Sequence, residues 1–99
     1  MRAYYDTVAE AIQVFIPLDW KNRGGTNEIL GDGVMVDIDR DGVPMGMAVM
    51  DPGAVDLARA VPAAARRFGL DGDAILAAMR AALAAPNRVI MIDVQELPA

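Results

Sequence analysis

The sequence predicts an α+β fold: a small antiparallel β-meander sheet, then two helices, then a closing C-terminal strand. Three observations predict it. Up to Met50, apolar residues recur mostly with a period of two, the mark of strands with two distinct faces. After Asp51-Pro52-Gly53 the period lengthens to about 3.6, the mark of helices. Near the end, Val89-Ile90-Met91-Ile92 is one unbroken apolar run of strand type. At 99 residues the chain is one domain. Residues 1–53 form its β core, 54–86 its helical segment, and 87–99 the closing strand and tail.

Arg2 to Tyr5 reads as a short strand. Asp6 opens a turn, its carboxylate placed to accept backbone amides ahead of it. In the strand Ala11 to Ile16, Ile12, Val14 and Ile16 share one face and Phe15 lies on the other; Pro17 ends it or sits at its edge. The polar stretch 18–27 reads as the loop of a hairpin tip. Glu28 to Leu30 is a short strand that Gly31-Asp32-Gly33 interrupts as a bulge or bend before Val34 to Asp39 resumes it. Asp39-Arg40-Asp41-Gly42 is a hairpin turn, because glycine supplies the positive φ the reversal needs. Val43 to Met50 returns as its partner.

The first helix carries Leu57, Val61, Ala64 and Phe68 on one stripe. Pro62 lacks an amide hydrogen, so residues 54–68 are either kinked or two short turns. Gly69 and Leu70 fit a glycine C-cap with its hydrophobic contact. Asp71 is the N-cap of a second helix ending at Ala85, with Ile75, Leu76, Met79, Ala82 and Leu83 facing inward. The unbroken run at 89–92 predicts a strand covered on both faces.

Composition excludes several kinds of chemistry. Without histidine or cysteine there is no thiol nucleophile, no disulfide, no imidazole ligand and no histidine-based triad. No remaining nucleophile is paired with a base at an informative spacing, so no enzyme activity and no cofactor is expected. The net charge of −5 leaves no electrostatic footprint for nucleic acid. The acidity sits in the first half, where eight acids face four bases. Met1 to Asp6 shows no secretory pattern, and no window reaches the ~18 apolar residues of a membrane span. The expectation is a soluble cytoplasmic protein with no membrane association.

Three groups of residues are candidates for contact with ligands or partners. Asp37, Asp39 and Asp41 match the opening positions of a calcium loop. The position that should supply a closing bidentate carboxylate is Ala48, so a weak cation site survives only if the three converge. Trp20, Lys21 and Arg23 gather an aromatic anchor and two cations beside a glycine pair, an arrangement suited to recognition; the plainer reading folds Trp20 over the core. Phe15, Met45 and Met47 belong to strands that look apolar on both sides. Two helices can shelter only one face of a small sheet. The other face therefore calls for a partner, most simply a second copy in a homodimer.

The pattern from Tyr5-Asp6 through Gly31-Asp32-Gly33-Val34-Met35-Val36-Asp37-Ile38-Asp39-Arg40-Asp41-Gly42 to Asp51 resembles the bacterial family of domain of unknown function 2283 over residues 1–53. The resemblance implies a small β-meander core in a small soluble protein, with pairing of some members to small toxin-like proteins. It supplies no substrate and no catalytic set. The functional expectation is a non-enzymatic, self-associating protein-interaction module. The alternatives are an antitoxin-like protein that neutralises a small basic toxin, and a small-molecule or weak cation binder.

Overall fold

Strand alternation and helical stripes meet on a single core. The computed structural model describes residues 1–16, 25–31 and 33–92. Its strands are β1 (Arg2–Asp6), β2 (Ala11–Phe15), β3 (Thr26–Ile29), β4 (Val34–Ile38) and β5 (Pro44–Met50). A single 3₁₀ turn over Pro52–Ala54 leads to α1 (Leu57–Arg67) and α2 (Gly72–Ala84), and β6 (Ile90–Met91) closes the described chain. The α+β fold is the one the sequence predicts. The strands form one antiparallel sheet in the order β3-β4-β5-β2-β1-β6.

One face of this sheet carries Ala3, Ile12, Val14, Val34, Val36, Met47 and Val49, all buried. Helix α2 lies against β1 and β2, and α1 against β4. The helices contribute Val61, Ala64, Ala65, Ile75, Ala78, Met79 and Ala82 to the same cluster. Alanine buries little area itself, but it lets helix and sheet approach closely. At Gly72 a side chain would collide with the Pro62 backbone of α1, so glycine is required where the two helices touch. Pro62 sits inside α1 without splitting it.

The helix boundaries follow local chemistry. Asp71 caps α2 by accepting the Ala74 amide on Oδ1 at 3.1 Å. Gly69 takes φ +69°, and the Leu70 amide donates back to the Ala65 carbonyl at 2.9 Å, a Schellman closure of α1. In the turn after β1, the Asp6 carboxylate accepts the Val8 and Ala9 amides, as expected.

Three strand expectations are corrected. The second and third strands do not form a hairpin: β2 pairs with β1 and β5, and among the described residues β3 pairs with β4 alone. The segment around Gly31 and Gly33 is a chain reversal, not a bulge within one strand. Leu30 donates to Val34 and Val34 to Gly31, and both glycines take positive φ. The last strand is an edge strand, not one covered on both faces. Ile90 packs on the core while Val89 and Met91 are exposed. Among the described residues no helix is long and apolar enough to cross a membrane.

Candidate functional site

The helices pack on one face of the sheet; the other, called the open face because no described helix packs on it, exposes residues at its margins while Gly46 and Ala48 at its middle are buried. The register assigns the open face two long cross-strand rows. The first runs Asn27, Asp37, Gly46, Phe15, Arg2, Met91, from β3 to β6. The second runs Ile29, Met35, Ala48, Gln13, Tyr4, from β3 to β1. Beside them stand Met50 and Ala11, paired with one another. This face is more apolar than a solvated sheet face, which carries polar residues at alternate positions. Ile29 is 74% exposed, Met91 60% and Met50 42%.

Its chemistry concentrates on the Asp37 row. Between Asp37 and Ile38 the β4–β5 register slips, pairing Asp37 with Gly46 and Ile38 with Pro44, and Met45 is the extra residue. Such a bulge re-aims a side chain. Met45 joins Gln13, Phe15, Asn27 and Asp37 around an open depression of about 250 Å³. The Arg2 guanidinium stands over the Phe15 ring, 5.8 Å from its centroid. Burial pushes the Asp37 carboxyl above its ordinary value. Among the described residues no hydrogen bond or ion pair reaches that carboxylate. Among the described residues no second titratable group lines the depression.

The calcium-loop residues are not brought together. Asp39 is buried, and its Oδ1 accepts the Asp41 and Val43 amides at 2.9 Å each. It holds the hairpin turn, in which Gly42 takes φ +81°. Asp41 is exposed, and Asp37 lies on the open sheet face. No group of three metal-ligating side chains forms among the described residues. Asp37, Asp39 and Asp41 therefore do not make the convergent cation site considered above.

Of the partner candidates, Phe15 and Met45 lie on the open face. Met47 is corrected: it is fully buried under the helices, where alternation along β5 puts it, and no partner can reach it. Trp20, Lys21 and Arg23 lie outside the described residues. Arg2, Tyr4, Ile29, Met35, Met50 and Met91 reach the face without having been singled out from the sequence. The unbroken apolar run at 89–92 was the available signal for Met91. The others depend on cross-strand register, which no local pattern reports.

Comparisons with protein-family models, with curated proteins and with solved structures find no match.

Proposed function

We propose that this chain is a non-enzymatic, self-associating interaction module, and that the open face of its sheet is the contact surface. One observation carries the reading: a sheet shielded by helices on one side exposes Ile29, Met50 and Met91 on the other. Covering them removes roughly 300 Å² of apolar surface per protomer, which at ~25 cal/mol per Å² is about 7 kcal/mol. Two protomers together gain about 15 kcal/mol, against an association cost of ~4–15 kcal/mol. The surplus is anything up to about 11 kcal/mol, of which a micromolar dissociation constant takes about 8.

Light scattering coupled to size-exclusion chromatography tests it. At tens of micromolar the chain should elute with twice its 10.5 kDa mass. Ile29→Glu and Met50→Glu place charges at exposed positions, so both variants should fold and elute as monomers. A monomeric native chain, or dimers that survive both substitutions, refutes the proposal.

A further inference from the structure

We infer that the outer edge of β3 takes up an extended, basic segment of another protein as a further strand of the sheet. The inference is independent of association through the open face. Hydrogen-bond direction along β3 carries it. The Leu30 amide donates to the Val34 carbonyl, so Leu30 turns its backbone polar groups toward β4. Alternation turns those of Thr26 and Glu28 the same way, opposite Ile38 and Val36. The amides and carbonyls of Asn27 and Ile29 therefore point away from the sheet. β3 is the last strand on this side, and among the described residues no hydrogen bond reaches those outward groups. Thr26 to Ile29 are all exposed. The edge carries no proline, lysine or bulge to blunt it, and its one guard is Glu28.

Charge decides against a second copy as the occupant. Two copies would pair antiparallel about a two-fold axis, with Asn27 and Ile29 as the hydrogen-bonded positions. The register that bonds Asn27 to Ile29 of the partner subunit sets Glu28 directly opposite Glu28 of the partner subunit. That is a non-hydrogen-bonded pair, the closer kind at ~4.5 Å between Cα atoms, where like charges repel. A shift of two residues brings either Ile29 opposite Gly25 of the partner subunit or Asn27 opposite Gly31 of the partner subunit. Those glycines take φ +110° and +86°, outside strand geometry, so either shift keeps a single bonded pair where the blocked register makes two.

The same carboxylate favours a foreign strand that sets an arginine or lysine opposite Glu28, because opposite charges at a directly facing position stabilise the pair. Asn27 and Ile29 supply main-chain hydrogen bonds to that strand, and Glu28 supplies the selectivity, the usual division of labour in strand addition. Asp37 pairs with Asn27 one strand further in, so the acidic character continues onto the open face. Arg59 and Arg67 stand past the strand's end, around Leu30 and Gly31, and Arg40 belongs to the turn between β4 and β5. The net charge of −5 adds a longer-range attraction for a basic partner.

An end-capped peptide, Thr-Val-Thr-Arg-Thr-Val-Thr, and its counterpart with Glu at the centre are the probes, titrated into the dilute chain and followed by amide NMR. With the Arg peptide at millimolar concentration, the amides of Asn27 and Ile29 should shift and gain protection from exchange. Those of Glu28 and Leu30, already directed at β4, should change least. The Glu peptide should bind the native chain roughly 10-fold more weakly, and Glu28→Lys, a change at an exposed position, should reverse the preference. The native chain gives the charge readout on its own, even if the variant does not fold. No shift with the Arg peptide, shifts that spare Asn27 and Ile29, or equal binding of the two peptides overturns the inference. Protection of the same amides that rises with protein concentration alone assigns the edge to a second copy and overturns it too. A chain that stays monomeric overturns only association through the open face.

Discussion

Replacing Asp39 with alanine separates a turn-holding carboxylate from a ligand-holding one. Asp39 Oδ1 accepts two backbone amides at 2.9 Å, from Asp41 and Val43, and the residue is only 8% exposed. A hydrogen bond to a charged acceptor contributes about 1.5–3 kcal/mol. Asp41 and Val43 are exposed, so water satisfies their amides once the carboxylate is gone, which places each loss at the low end. The expected cost is about 2–3 kcal/mol, a fall in Tm of roughly 10–20 °C for a domain of this size. Asp39→Asn keeps an acceptor oxygen in the same place and should recover most of that loss. Thermal unfolding followed by circular dichroism, with and without millimolar calcium, measures both effects. Equal destabilisation by Asn and Ala, or a calcium-dependent rise in Tm that Asp39→Asn abolishes, would refute the assignment of this carboxylate to the turn.

Met47→Ala removes a fully buried side chain beneath the helices and should cost about 2–5 kcal/mol in a urea melt, with little effect on association beyond lost folding. An unchanged melt would mean that Met47 is not in the core. Asp37→Asn should stabilise the dilute, monomeric chain at neutral pH, because burial of the ionised carboxylate raises its pKa. The sign follows from proton linkage. With the folded-state pKa above the unfolded one, the folded chain holds the proton more tightly, so stability falls as pH rises through that window. The advantage of the variant should therefore be greatest at neutral pH and vanish below the ordinary aspartate range. A variant less stable than the native chain at pH 7 contradicts the desolvation argument.

What could be read from the sequence was what short-range chemistry determines. Asp71 as a cap needs only Ala74, three residues on. Gly69 as a terminator needs only Ala65 and Leu70, and Gly42 only its own hairpin. The stripe Ile75, Leu76, Met79 and Ala82 follows from helical pitch alone. Strand order is different, because it is settled by contacts between distant segments. Nothing near Phe15 announces that its neighbour is Gly46 rather than the next strand along. The Gly31–Gly33 segment reads as a bulge or bend within one strand until Leu30 is seen to bond to Val34. The open face was legible only in outline. Apolar residues on both sides of a strand show that some second surface exists. They do not show that Asp37, Gly46, Phe15 and Arg2 fall in one line across it. The bulge at Met45 defeats simple alternation, which placed Met45 beside Met47.

The ladder between β2 and β5 also bears on how the chain acquires its shape. Hairpin β1–β2 and the trio β3–β4–β5 each arise from neighbours in sequence. Uniting them means closing an excursion of roughly thirty residues, from Phe15 to Gly46, whose entropy must be surrendered before any ladder bond repays it. Each piece is cheap to nucleate from its own neighbours, while the β2–β5 ladder, like the β1–β6 pairing that closes nearly the whole chain, requires a long loop closure.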